Sequence, residues 1–519
     1  MTEASFSTSR LALHDVLAQH ARSRPAGLAI GDGDVRLTWH ELAERVDAAA
    51  RALHGEGVRA GDRVLWLGQN SFRVQELLLA CSRLGAALCP ANWRQSAEEL
   101  AFVVDDLAPA ITFTQEQEVG DAVLAGLAGA RHASRVIRHD DDGAGGYERW
   151  LAAARVADLD DDRTNGDDPV LFIYTAAFEG RPNAAMLPHR AILGQALVMG
   201  PLMGVHAQHR YLNAGPLFHV GVFMENFATF VAGGANVFVR RSDGDALCRV
   251  IADFGCTSGY VMGPMIETIV AANTDGRYDL STMHGKRGHP QYDAWVQADN
   301  SPWGRRPGGY GQTEVMGMAT FNLLAPPDAI GSHGMPSPLV QLGVVDPDGV
   351  EVPAGDTGEI CVRGVTTMRG YWNRPALNAQ RSRGGWHHTN DLGRYEPDGS
   401  FTFVGPKGRM LKSAAENIYP VEIEQTLRSH PAVIDAAIIG VPDDVWVQSV
   451  KAIVVLRDGA TASADELIEH CRSRIASYKK PRTVEFVEGL PRRGLTIDYE
   501  ALDERFGGGN YPGGTTRSA

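Results

Sequence analysis

Apolar residues recur at helical spacing from the start of the chain. Leu13, Val16, Leu17 and His20 fall on one stripe and predict a helix over 11–22. A second helix opens at Leu37-Thr38-Trp39-His40-Glu41-Leu42 and runs through Val46 and Ala50, with Thr38 and Glu41 spaced as a capping box. Arg63-Val64-Leu65-Trp66-Leu67 is a short apolar run after the turn at 60–62, the pattern of a buried strand. A helix over 75–85 and a strand over 86–90 follow. Strands alternating with helices predict an α/β arrangement, its parallel sheet covered on both faces.

The alternation resumes after an acidic stretch at 158–168, with a strand over 170–174, a helix over 191–199 and a strand over 235–239. From about 330 to 396 the character changes. Short β-like runs at 341–345, 359–362 and, just beyond, 400–404 lie between Gly, Pro and Asp turns, predicting a small β subdomain. The last region predicts a separate α+β domain: helix 421–429, strands 435–440 and 450–456, helix 463–475 and strand 483–487. The Gly-rich stretch from Phe506 reads as a disordered tail. The chain has no internal repeat.

Composition narrows the function. Of 519 residues, 44% are apolar and 22% charged, an ordinary globular balance with room for two to four domains. A net charge of −14 argues against binding nucleic acid or an anionic membrane surface. No run approaches the ~20 apolar residues of a bilayer span, and the N-terminus shows no secretory pattern. The six cysteines are scattered without a Cys-x-x-Cys pair, which fits idle thiols in a reducing cytoplasm and no cysteine-held metal.

Four segments carry candidate chemistry. Strand 170–174 runs into Thr175 and a Gly/Pro-containing loop, the place where α/β folds put phosphate loops. This loop has one glycine, no lysine and an internal acid, Glu179, so a plain turn accounts for it as well. In Gly308-Gly309-Tyr310-Gly311-Gln312-Thr313-Glu314, glycines permit close backbone approach. Tyr310 offers a flat face to a base, Thr313 a hydroxyl to a phosphate and Glu314 a hard oxygen to Mg²⁺. The alternative there is a glycine turn around a buried tyrosine. Asp391 stands between two β-like runs, where an acid could accept both ribose hydroxyls or simply close a turn. Glu416 to Glu424 reads as a loop entering a helix after Pro420 and by itself needs no function.

In this order, and together with Pro216-Leu217-Phe218-His219, Tyr371-Trp372-Asn373-Arg374-Pro375 and Tyr478-Lys479-Lys480-Pro481, these segments resemble the adenylate-forming superfamily. That superfamily holds acyl-CoA synthetases, peptide-synthetase adenylation domains and firefly luciferase. The resemblance spans about 13–502. It implies a large N-terminal domain (1–408) of two α/β subdomains, about 1–165 and 166–329, plus a β-barrel over 330–408. A small, mobile α+β C-terminal domain (409–505) and the tail (506–519) follow. It also implies two half-reactions: a carboxylate attacks the ATP α-phosphate, and a thiol of CoA or an acyl carrier protein then takes the acyl group. On this resemblance Tyr310 is the adenine-stacking ring, flanked by Gly311 and Gln312. Thr175, Thr313 and Glu314 are the phosphate and magnesium residues, Asp391 the ribose acid, and His219 the histidine at the acyl-pocket entrance.

Several positions depart from the family pattern. Ala176, Ala177, Phe178 and Glu179 replace a Ser-Gly-Thr-Thr run in the phosphate loop, and Asn183 replaces its lysine. Before the hinge, Pro406 takes the place of the nucleotide-binding arginine, leaving Arg409 and Lys412 as the nearby cations. Ala414-Ala415 stand for the glycines lining the thiol tunnel, and Thr496 stands for the C-terminal catalytic lysine. The Gly-Gly-Ala-Pro turn is not recognisable in 284–290. Three readings stay open: an atypical or impaired acyl-CoA synthetase, a catalytically silent homologue binding acyl or nucleotide ligands or a protein partner, and ATP activation of a non-carboxylate substrate.

Overall fold

The computed structural model describes residues 11–115, 117–141, 143, 145–154, 159, 164–175, 181–285, 288–413, 416–493, 496–509 and 511. Leu13–Ser23 is helical and turns Leu13, Leu17 and His20 inward. The capping box closes as the sequence predicts: Thr38 Oγ1 accepts the Glu41 N–H at 3.2 Å, and Glu41 Oε2 accepts the Thr38 N–H at 2.8 Å. This fixes the start of helix Trp39–Gly55.

Arg63–Leu67, Ala87–Pro90, Ile111–Thr114, Arg135–Arg138 and Pro169–Tyr174 run parallel in a six-stranded sheet that ends on antiparallel Ala184–Pro188. Val64, Leu65, Trp66 and Leu67 are buried, as the unbroken apolar run requires. A second sheet of five strands joins Leu28–Asp32 and Val35–Thr38 to Arg210–Asn213, Ala235–Phe238 and Ser258–Gly259. Ile30 is registered with Asn236 in its central parallel pair. Sheet membership therefore does not follow the division expected near 165/166. The first hairpin belongs with strands beyond 210, and Pro169–Tyr174 with strands before 140. Apolar periodicity identifies a strand but not its distant neighbour.

Four antiparallel strands follow: Val340–Val345, Gly358–Gly364, His387–Tyr395 and Phe401–Pro406. His387–Tyr395 is the one strand of this sheet that the sequence hides, because His387-His388-Thr389-Asn390-Asp391 shows no apolar alternation. Asp391 is thus a strand residue and not part of a turn. Asn390 beside it has φ +62°, a conformation asparagine tolerates, and the pairing with Phe401–Pro406 shifts register between Leu392 and Gly393. The kink sets the direction of the aspartate.

The C-terminal sheet is built on Val433–Asp443 and Val447–Leu456, flanked by Thr483–Phe486 and Leu411–Ser413. Helices Pro420–Arg428, Ala464–Arg472 and Tyr499–Phe506 accompany it. The described part of the tail is ordered, against the expectation of disorder from Phe506. The Tyr511 hydroxyl accepts the Gly440 N–H at 2.8 Å and donates to Asp503 Oδ1 at 2.7 Å. Buried Lys479 joins this part to the rest, with Nζ 2.7 Å from both Glu99 and Glu422. No described helix is long and apolar enough to cross a membrane.

Candidate active site

Tyr310 anchors a cavity of about 560 Å³ at the junction of the β subdomain and the C-terminal part. Its backbone N–H donates to Thr320 Oγ1 at 2.8 Å, and its ring lies 5.3 Å from the Phe403 ring at 25°. The strand Gly311–Gln312 pairs with Gly317–Met318 so closely that a Cβ on Gly311 would stand 2.1 Å from the Gly317 carbonyl oxygen. Glycine is therefore required there. The same cavity is lined by Thr175, Gln312, Thr313, Glu314, Asp391 and Lys412, so residues from four distant stretches of sequence meet in it.

Asp391 Oδ2 accepts the Tyr310 hydroxyl at 2.8 Å and the Gln312 side-chain amide at 2.6 Å. Burial pushes the Asp391 carboxyl up to about 6, against the pull of these two donors. Gln312 is itself oriented: His387 Nε2 lies 3.4 Å from its Oε1. Burial depresses His387 to about 3, so this ring is a neutral donor. Glu314 is buried and its Oε1 accepts the Tyr371 hydroxyl at 2.7 Å. Burial raises its carboxyl as well. Lys412 Nζ donates to Asn417 Oδ1 at 2.8 Å, and burial lowers its pKa.

A narrower channel of about 150 Å³ shares Thr175, Thr313 and Asn417 with the cavity. His219 and Glu416 face each other in it, Nε2 to Oε1 at 3.4 Å, and Arg94 reaches the same Glu416 oxygen at 2.8 Å. His219 from the N-terminal part and Glu416 from the C-terminal part thus meet across it.

Two candidates fall elsewhere. Arg409 does not line the cavity. It pairs with Asp503 at 3.1 Å and lies over the rings of Tyr499 and Tyr511, at 4.3 and 4.5 Å from their centroids. A guanidinium held by a carboxylate and two rings inside the C-terminal part cannot stand in for a nucleotide-binding arginine. Asn183 is buried and accepts Arg374 Nε at 2.9 Å, while Arg374 also pairs with Asp106 at 2.8 Å. The segments 176–180, 286–287 and 414–415 lie outside the described residues, as does the side chain of Thr496.

The sequence pointed to Tyr310, Gln312, Thr313, Glu314 and Asp391 but not to their supports. Tyr371 lies in one of the family-like segments, whereas Phe403 and His387 act from strands and Arg381 from the helix Pro375–Arg381, and no local pattern marks those three. A single carboxylate at Glu314 suits Mg²⁺, which takes one or two carboxylates plus substrate phosphates. Among the described residues no cluster of three or more His, Cys, Asp or Glu could hold a metal unaided.

Comparison with known proteins matches the chain to the model of AMP-binding enzymes over residues 17–372, and to that of the AMP-binding enzyme C-terminal domain over 422–495. It is 33% identical to a feruloyl-CoA synthase of Amycolatopsis over 490 residues, covering 92% of this chain and 95% of the relative. It is 32% identical to an indoleacetate–CoA ligase of Aromatoleum aromaticum over 496 residues, covering 93% and 96%. In three dimensions it resembles o-succinylbenzoate CoA synthetase of Bacillus subtilis bound to a product analogue, with TM-score 0.78, 24% identity and coverage of 94% and 98%.

Proposed function

Because the chain belongs to the AMP-binding enzyme family, we propose that it is an ATP-dependent acid–CoA ligase acting on an aromatic carboxylic acid. The observation that carries this reading is the convergence of Thr175, Tyr310, Thr313, Glu314 and Asp391 on one cavity that meets the His219 channel at Thr175 and Thr313. Tyr310 offers its ring to adenine and Asp391 its carboxylate to the ribose hydroxyls. Thr175 and Thr313 offer hydroxyls to the phosphates, and Mg²⁺ held at Glu314 would neutralise phosphate charge. The substrate carboxylate oxygen attacks the α-phosphorus, the bond to the bridging oxygen breaks, and pyrophosphate leaves. A thiol entering by the channel then attacks the acyl carbonyl carbon, its proton passes to solvent or to the departing phosphate, and AMP leaves with the bonding pair. Developing charge on the phosphates needs fixed cations and donors.

The feruloyl and indoleacetate relatives support an aromatic acid over a fatty acid. CoA is the proposed thiol, with a carrier protein as the alternative acceptor. Six free, buried cysteines support a reducing, cytoplasmic setting. The test is carboxylate-dependent ATP–pyrophosphate exchange with ferulate, indoleacetate and a fatty acid, followed by thioester formation with CoA. Exchange with an aromatic acid and thioester product support the reading, and absence of both removes it. A silent homologue is the second reading. It is favoured by Asn183, bound to Arg374 where the family has its phosphate-loop lysine, and by the threonine at 496. Calorimetric binding of acyl-CoA without any exchange is its signature.

A further inference from the structure

Arg381 was not marked by any sequence pattern. It ends the short helix Pro375–Arg381, in the polar run Asn378-Ala379-Gln380-Arg381-Ser382-Arg383. Arg383 two residues on is exposed, whereas Arg381 is only 7% exposed and lines the nucleotide cavity. Its Nη1 donates to the His388 carbonyl oxygen at 3.3 Å, which holds it beside the strand that carries Asp391. Arg381, Glu314 and Asp391 line the same cavity, so the guanidinium borders the space that a nucleotide held by the phosphate-side and ribose-side acids would fill.

Among the described residues lining this cavity, Arg381 and Lys412 are the two Lys or Arg side chains. Lys412 donates to Asn417, where the cavity and the channel adjoin. Asn183 carries no charge, and Arg409 is engaged with Asp503. A guanidinium stays charged when buried and presents a planar fork suited to a phosphate. We propose that Arg381 is the α-phosphate-binding cation of this protein, contacting the non-bridging oxygens of AMP and ATP and supplying part of the positive charge absent at positions 183 and 496. This rests on the nucleotide site of the proposed function.

The test compares adenosine, which has no phosphate, with AMP by titration calorimetry of the full chain. Arg381→Gln is expected to weaken AMP about 10- to 100-fold and to leave adenosine within about twofold. Arg381→Lys keeps the charge without the fork, so it weakens AMP by a smaller factor and again spares adenosine. The Lys variant gives the answer should the Gln variant not fold. A role limited to holding Glu314 and Asp391 in place lowers both ligands together, and that result overturns the inference, as does unchanged AMP affinity. Wild type that binds adenosine no more weakly than AMP overturns the inference and leaves the nucleotide site standing. Wild type that binds neither removes the site itself and the inference with it.

Discussion

The Tyr310 hydroxyl donates to Asp391 Oδ2 at 2.8 Å, tying the proposed adenine-side ring to the proposed ribose-side acid before any ligand arrives. This bond, with the one from Gln312, holds a carboxylate that burial has lifted to about 6. Ribose hydroxyls donate more strongly to its ionised form. Adenosine affinity should therefore rise about tenfold from pH 5 to 7.5 and level off above, since ionisation at about 6 is then complete. Asp391→Asn should bind weakly at every pH. The sign for stability is opposite. A raised acid stabilises the fold below its unfolded value near 3.8, and that contribution is lost as pH rises through about 6. Calorimetry at the two pH values checks the first point, and a flat wild-type profile refutes it.

Asn183 serves Arg374 in this fold. Asn183→Ala removes the acceptor of a charge-assisted bond and should cost about 1–2 kcal/mol of stability, read as a lower melting temperature, with ATP affinity unchanged. Asn183→Lys brings a like charge to Arg374 and should be no more stable than the alanine variant. A clear gain in ATP affinity from the lysine would show that this side chain can still turn to the phosphates.

Lys479, itself paired with Glu422 in the C-terminal part, holds that part against the rest through Glu99, and all three side chains are well buried. Removing one partner of such a cluster leaves charges uncompensated and commonly costs ~3–5 kcal/mol. Lys479→Met should expose the connection around 408–415 to limited proteolysis well before the rest of the chain is cut. Unchanged digestion would mean the two parts are held by other contacts.

Thr496 belongs to the strand Thr496–Ile497, which pairs with Arg492–Arg493. A threonine supplies no charge to a transition state that elsewhere is met by a lysine. Thr496→Lys, with one residue inserted to restore the family spacing, should raise pyrophosphate exchange by ~10²-fold. Thioester formation from a preformed acyl-adenylate should change little. Wild-type exchange already at the rate of the variant would place the missing charge elsewhere, with Arg381 the first residue to examine.

Much of the fold is legible in the sequence because its buried strands are unbroken apolar runs. Arg63–Leu67 begins and ends where the pattern predicts. His387–Tyr395 is invisible because Thr389, Asn390 and Asp391 in its middle line a polar cavity, where the core does not demand apolar residues. The site divides in the same way. Tyr310 and Glu314 stand out because glycines crowd around them in sequence. Arg381 does not, since its difference from Arg383 is burial, and burial is decided by a strand that the sequence does not reveal. Arg409 misled for the converse reason: proximity along the chain placed it near the nucleotide, while Asp503, about a hundred residues on, claims its charge.

The pairing of Leu28–Asp32 with Ala235–Phe238 has a consequence for how the chain is made. The first hairpin leaves the ribosome about 200 residues ahead of the strand that completes its parallel edge. At ~5–20 residues per second it waits on the order of 10–40 s with that edge open. The amino-terminal segment cannot finish folding as an independent unit during synthesis. A nascent chain stalled before residue 235 should therefore keep its first hairpin accessible to chaperones and proteases, and closure of the second sheet becomes a late, long-range event in the maturation of the whole protein.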